Sequence, residues 1–126
     1  MKRSWIGFIL LLVLLAGSIL TTGIVTAMHE PIEADLLQAA ECAVLGEWDN
    51  AGRFFRQAEE TWDKGTHFRA CFADHNPVEE IDGEFVLLKV YCAYGDTVSF
   101  AGGCAQLARQ VAAVGEAHEL VWWNFF

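Results

Sequence analysis

Positive charge is scarce in this chain. The 126 residues include only 8 lysines and arginines against 17 aspartates and glutamates, which gives a formal net charge of −9. Lys2 and Arg3 precede a long apolar run, so the other 6 cations face all 17 acids in residues 29–126, a balance of −11. Nucleic acids and anionic headgroups are bound through lysine and arginine. The sequence therefore argues against nucleic acid, and against docking of this region on an anionic membrane surface.

The residue patterns of several enzyme classes are also missing. The four cysteines include no CxxC pair, which argues against a thioredoxin-type motif and a zinc ribbon. Beyond the apolar run Ser99 is the only serine, and no nucleophile elbow surrounds it. Cys71 and His75 are four residues apart, but a turn is expected between them and no third residue orients the imidazole. We therefore predict no enzymatic activity and no cofactor.

The longest apolar run covers residues 5–27 and contains no charged residue. A helix of about 20 apolar residues, rising about 1.5 Å per residue, spans the hydrocarbon core of a bilayer. Backbone amides in hydrocarbon must pair within their own segment, so the run is predicted to be helical. Lys2 and Arg3 favour a cytoplasmic N-terminus. We therefore predict a single-pass anchor in the cell membrane over residues 1–28 and an extracytoplasmic domain over residues 29–126.

A cleaved signal peptide is the alternative interpretation of the same run. Val25, Thr26 and Ala27 offer small residues of the kind that a signal peptidase recognises, and the cationic start also fits. The apolar core of a signal peptide, however, is usually about 7–15 residues long. The run from Trp5 is already 16 residues long at Leu20, which favours the retained anchor. Both interpretations place the remainder outside the cytoplasm.

The region after the apolar run shows helical periodicity, with apolar residues three and four apart. Pro31 is predicted to begin a first helix and to bend the chain away from the membrane segment, and Gly46 to end that helix in a left-handed conformation. Asp49 is predicted to cap a second helix, which continues to about Ala73 with Gly65 as a weak point. The predicted apolar faces of these two helices are Ile32, Leu36, Ala39, Ala40 and Ala43, and then Ala51, Phe54, Phe55, Ala58 and Trp62.

Two further helices are predicted downstream. Asn76, Pro77 and Glu79 form a capping-box pattern at the start of the third helix. The pair Gly95-Asp96 is predicted to end the third helix. Asp96 is also predicted to cap the fourth helix, which ends at Gly115. The predicted core residues of these helices are Ile81, Phe85, Leu88 and Cys92, and then Val98, Ala101, Ala105, Ala108 and Ala112. Strand-like alternation is missing, so we predict an all-α fold: one N-terminal transmembrane helix followed by a small antiparallel bundle of about four helices.

The even number of cysteines, in an oxidising compartment, favours disulfides. On straight antiparallel helices, pairing Cys42 with Cys92 and Cys71 with Cys104 leaves axial offsets of about 9 and 10 Å, the smallest of the three possible pairings. A disulfide requires Cα atoms about 4.4–6.8 Å apart, so modest helix tilt is needed. The alternative is that all four cysteines are small, buried apolar residues.

Acidic residues surround His75 in the densest polar cluster of the sequence. Asp74, His75, Glu79 and Asp82 form a candidate cation site, because carboxylate oxygens suit calcium and a histidine shifts the preference toward zinc. The alternative is structural, since acids in a first helical turn are stabilised by the helix dipole. No calcium-loop spacing is present, and we predict no bound metal. The other histidines are predicted to face solvent: His29, His67 and His118.

A series of short motifs extends over nearly the whole chain: Gly46-x-Trp48-x-x-Ala51, Trp62, Asp74-His75, Ile81-Asp82, Gly95-Asp96 and Trp123-Asn124-Phe125-Phe126. Together they resemble domain of unknown function family 4363. The resemblance implies a small bacterial protein with one N-terminal membrane span and a helical outer part, and it implies no activity. In the family pattern the histidine directly precedes an acidic run, whereas here Asn76, Pro77 and Val78 intervene.

These features predict a non-catalytic interaction or structural module of the bacterial envelope, which is anchored in the membrane and binds a protein outside it. The candidate interaction residues are aromatic, because exposed apolar patches mark contact sites: Trp48, Trp62, Trp122 and Trp123. The alternative is a small-ligand or cation sensor that uses the His75 turn. Exposure of Trp48, Trp122 and Trp123 in one patch would favour the first hypothesis.

Overall fold

The structure, a computed structural model, describes the backbone of residues 2–65 and 75–124 and the side chains of residues 2–20, 28–65 and 78–114. These ranges contain four helices: α1 (Lys2–Val44), α2 (Trp48–Lys64), α3 (His75–Tyr94) and α4 (Thr97–Asn124). Within the same ranges the backbone forms helices and turns and no strand. The predicted all-α fold, an apolar N-terminal helix followed by a helical bundle, is confirmed.

The first helix is continuous through Pro31, so the predicted helix start and bend at that residue are wrong. Proline has no N–H, and α1 therefore lacks one hydrogen bond, to the carbonyl of Ala27 four residues earlier. The loss is local, because the neighbouring residues keep their own bonds. Ile32 and Leu36 follow at once and are fully buried, so packing stabilises the helix just beyond the defect.

The N-terminal part of α1 is long and apolar enough to cross a membrane. Lys2–Leu20 contains 19 residues, and its most apolar stretch has a mean hydropathy of 2.1 and no buried residue. A signal sequence near the N-terminus can also meet these criteria of length and composition. The second part of the same helix contributes Ile32, Leu36 and Ala39 to the core, so one rod connects the apolar segment to the bundle.

Glycine ends two of the helices in the predicted way. Gly46 has φ +78°, its N–H donates to the carbonyl of Ala43, and the next N–H, of Glu47, donates to Cys42. Gly95 has φ +67° and closes α3 with the same pair of bonds. Both are Schellman motifs, which need a residue without a Cβ in the left-handed region.

The predicted helix boundaries are correct at some ends and wrong at others. Asp96 caps α4, because its Oδ1 accepts a hydrogen bond from the N–H of Ser99. Asp49 is not the cap of α2, since that helix already begins at Trp48. The same helix ends at Lys64, and residues 66–74, where its continuation was predicted, lie outside the described residues. Gly115 does not end α4, because a glycine in helical conformation costs only about 1 kcal/mol.

The bundle is organised around α1, which packs on both α2 and α4, while α3 packs mainly on α4. The rings of Trp48, at the start of α2, and Phe100, near the start of α4, have centroids 5.5 Å apart. This contact places the turn before α2 and the turn before α4 at one end of the bundle. That end, residues 45–47 and 95–96, is farthest along α1 from the apolar segment, and we call it the distal end.

The core face of α4 differs from the predicted face. Its fully buried residues are Phe100, Cys104, Leu107 and Val111. Val98, predicted to face the core, is 85 % exposed, and among the predicted alanines only Ala108 is buried. The true face is displaced by about one residue position. Larger side chains remove more apolar surface from water than alanine does, and they therefore decide which face is buried.

Candidate functional site

The candidate interaction residue Trp62 belongs to the core. Its side chain is 1 % exposed, and its Nε1 donates a 2.6 Å hydrogen bond to Oδ1 of Asp82. Its ring meets the imidazole of His29 edge-on, with centroids 6.3 Å apart, and lies 6.2 Å from the ring of Phe85. A buried indole that also satisfies its donor stabilises the fold. Trp62 is not available on the surface, which corrects its assignment as a contact residue.

His29 is buried, so the prediction that it faces solvent is wrong. The reason is the continuity of α1. Residues three and four apart share a helix face, and without a bend at Pro31 the side chain of His29 falls on the same face as Ile32 and Leu36. His29 thereby extends the core toward the apolar segment and covers one edge of Trp62.

The predicted cation cluster is not assembled by the side chains that are described. Oδ1 of Asp82 accepts the hydrogen bond from Trp62, and Glu79 is exposed. Asp74 and the side chain of His75 lie outside the described residues. Among the side chains that are described, no three from histidine, cysteine, aspartate or glutamate are arranged to hold a metal ion. The described side chains therefore give no support to a cation sensor.

The described cysteines are free thiols: Cys42, Cys92 and Cys104. The predicted Cys42–Cys92 bond is therefore not formed, and α3, which carries Cys92, packs mainly on α4. Cys104 does not form its predicted bond with Cys71, a residue that lies outside the described part.

Burial raises the pKa of the Cys104 thiol to about 12, and the charge of Cys92 adds to the rise. Burial also raises the pKa of Cys92, against a smaller lowering by the charge of Arg56.

Of the three other candidate tryptophans, Trp48 is the one whose side chain is described. Trp48 is half-buried, and its ring lies on Phe100, which in turn lies 5.7 Å from the ring of Phe55. Trp48 thus connects the distal turns to the core. The side chains of Trp122 and Trp123 lie outside the described residues, although the backbone there continues α4.

An exposed apolar surface lies instead on α3. Four large apolar residues on this helix are between 43 % and 85 % exposed, and we call them the outer stripe: Val86, Leu87, Val90 and Tyr94. The core face of α3 is formed by Ile81, Phe85 and Leu88. At about 3.6 residues per turn, Val90 points almost directly away from that core face. A helix that is apolar on two opposite sides buries one side in the core and leaves the other exposed to water, unless a partner packs on it.

The surroundings of the outer stripe are acidic. Glu79 and Glu80 are exposed about two turns before it, and Asp96 follows it at the distal end. Lys89 is the one lysine or arginine in α3, and its Nζ lies 2.7 Å from Oε1 of Glu59 on α2. The one lysine of α3 is therefore already paired with an acid of this chain.

Sequence reasoning did not identify the outer stripe as a site. The signal was present, because Leu87, Val90 and Tyr94 of the stripe are spaced three and four residues apart, and Gly83 lies four residues before Leu87. Such spacing marks one continuous helix face. The sequence also offered Ile81, Phe85 and Leu88 as a core face, and nothing local distinguishes a second core face from an exposed one.

The family model described as domain of unknown function (DUF4363) matches residues 19–125, and the chain belongs to that family. No curated protein matches the chain. No solved structure matches it.

Proposed function

We propose, since membership of that family assigns no activity, that the chain is a membrane-anchored interaction module of the bacterial envelope. In this proposal α1 crosses the membrane with its N-terminus in the cytoplasm and holds the bundle outside, where the bundle binds a protein without catalysing a reaction. The observation that carries the proposal is the outer stripe. Soluble domains rarely leave a contiguous apolar helix face exposed unless it is a contact surface.

The unbroken course of α1 supports a retained anchor. The helix that contains the apolar segment also supplies Ile32, Leu36 and Ala39 to the core, so the bundle stands on the membrane segment through a single rod. A flexible linker would decouple the two parts, whereas a continuous helix fixes the height and direction of the bundle. Lys2 and Arg3 at the start of the rod favour the proposed orientation.

The position of the outer stripe supports a protein partner over a lipid surface. Residues 28–44 of α1 rise about 26 Å beyond the predicted anchor. Val86 and Tyr94 are separated by about 12 Å along α3, and Tyr94 adjoins the distal turn at Gly95. The stripe therefore occupies the half of the bundle that is farther from the membrane, beyond the reach of the headgroups that surround the anchor.

Site-specific photo-crosslinking in the native membrane tests the proposal. A photoreactive residue is placed at Val90 in the outer stripe or, as a control, at Gln106, which is exposed on α4. We expect a discrete adduct with another protein from position 90 and none from position 106. A Tyr94→Asp change in the same chain should abolish the adduct. Identical products from both positions, or no product from position 90, would rule out the stripe as a contact surface.

A further inference from the structure

We infer that the segment covering the outer stripe is a cationic amphipathic helix of a protein partner. This inference rests on the proposed function and specifies the chemistry of the partner. It combines two observations, the helical spacing of the stripe and the charge around it, with the orientation that the proposed function gives to two copies in one membrane.

The spacing of the outer stripe suits another helix. Three residues of the stripe, Leu87, Val90 and Tyr94, continue the spacing that begins at Gly83, at intervals of four, three and four residues. This is the pattern of contact positions in paired helices, and we call these four positions the seam. The seam is about 17 Å long, or three turns. A Cβ at Gly83 would meet nothing within 4 Å, so the seam is open at this end and a partner backbone can approach closely. An amphipathic helix laid on such a face presents its own apolar residues at matching intervals.

The charge around the stripe selects the partner. The exposed acids Glu79 and Glu80 lie at one end, Asp96 lies at the other, and Glu84 flanks the seam in a half-exposed position. Lys89, the lysine of this helix, is already paired with an acid on α2. Cations on both flanks of a partner helix would meet these carboxylates, and complementary charge favours encounter and register.

A second copy of the chain is a poorer occupant. Two copies anchored in one membrane point the same way, so a pair of α3 helices would run parallel. Such a pair sets Glu79 beside Glu79 and Glu80 beside Glu80. Like charges placed together at an interface are unfavourable, and each copy also carries the balance of −11 in residues 29–126. Anionic lipid is disfavoured by the same charge.

The test uses the full chain in nanodiscs of zwitterionic lipid and three labelled peptides of about three heptads. All three peptides carry leucine at the seam positions, and the flanking positions are lysine, serine or glutamate. Fluorescence anisotropy measures binding, with empty nanodiscs as the blank. We expect the lysine peptide to bind at least about tenfold more tightly than the serine peptide, and the glutamate peptide not to bind.

Matched variants distinguish binding at the outer stripe from non-specific electrostatic attraction to the acidic chain. Val90→Asp in the seam and Gln106→Asp on α4 add the same charge. Only Val90→Asp should lower the affinity for the lysine peptide, by about tenfold or more. Changing both Glu79 and Glu80 to lysine should lower the affinity for the lysine peptide by a similar factor. The same reversal at Glu30 and Glu41, which are exposed on α1, should have less effect.

Each contrary result has a distinct meaning. Equal binding of the serine and lysine peptides, or equal loss from both charge-reversed pairs, would overturn the cationic partner and leave the stripe as a contact surface. An adduct at position 90 with a second copy of the chain, or with anionic lipid in vesicles, would replace the partner with that occupant. Binding that survives Val90→Asp, together with no photo-adduct at position 90, would overturn both this inference and the proposed function.

Discussion

Gly103 on α4 faces Leu88 on α3 so closely that a Cβ at position 103 would overlap Cδ2 of Leu88. Leu88 is fully buried, so its side chain has little room to move aside. The neighbouring glycine, Gly102, is exposed and has nothing within 4 Å of where a Cβ would lie. The contact between α3 and α4 therefore depends on one glycine of the pair and not on the other.

We expect Gly103→Ala to lower the free energy of unfolding by about 1–2 kcal/mol, because overpacking outweighs the gain in helix propensity. Gly102→Ala gains the propensity without the overlap and should raise the free energy of unfolding by about 0.5–1 kcal/mol. Chemical denaturation of the full chain in micelles, followed by circular dichroism, measures both. Equal stabilisation by the two changes would show that the Leu88 side chain moves aside with no loss of stability.

The hydrogen bond from Trp62 to Asp82 connects α2 to α3, and its removal should loosen the bundle. Asp82→Ala takes away a charged acceptor, and we expect a loss of about 1–2 kcal/mol in the free energy of unfolding. Asp82→Asn keeps an acceptor oxygen and should lose less. The control is Glu80→Ala, an exposed acid on the same helix, which should change the free energy of unfolding by less than about 0.5 kcal/mol. If Asp82→Ala behaves like this control, the bond does not stabilise the fold.

Features set by a few neighbouring residues could be predicted from the sequence. Gly46 and Gly95 end helices because only glycine adopts the left-handed conformation without cost, and Asp96 caps α4 because a short carboxylate reaches the next free N–H. The buried faces of α1, α2 and α3 also followed from periodicity, as Leu36 and Phe55 illustrate.

Features that depend on how helices pack could not be predicted in the same way. In α4 the alanine spacing and the spacing of the larger residues both fit a helix face, and packing selects the larger residues, so Val98 is exposed. In α3 the periodicity predicts the core face that contains Leu88, but it does not show that the apolar face around Val90 stays uncovered, because that depends on which helices pack there. The burial of His29 required knowing that α1 does not bend.

The continuity of α1 leads to a prediction about Pro31. Pro31→Ala restores the missing N–H and removes the ring from a helix interior, so we expect the free energy of unfolding to rise by about 1–3 kcal/mol. Ala34→Pro, at another exposed residue of α1, should lower it by about 3 kcal/mol. Loss of helical circular dichroism on heating compares the variants with the natural chain. No gain from Pro31→Ala would indicate that the packed helix already compensates for the lost bond.

The buried thiol of Cys104 should make stability depend on pH above 9. Its pKa rises from an ordinary 9.0 to about 12 on folding. Below pH 9 both states hold the proton and the group contributes no pH dependence. Between about pH 9 and 12 the unfolded chain loses the proton first, so the free energy of unfolding falls as pH rises, by at most about 1.4 kcal/mol per pH unit.

Cys104→Ala isolates that contribution from the lysines and tyrosines that titrate in the same range. The variant should be less stable than the natural chain at pH 8, because a buried sulfur is lost. The difference between the two free energies of unfolding should then narrow as pH increases from 9 to 10.5. A stability difference that stays constant over this range would mean that folding does not shift the pKa of the thiol.

Alkylation gives an independent measurement, since native Cys104 should resist iodoacetamide at pH 8 and react once the chain is unfolded, without any reductant.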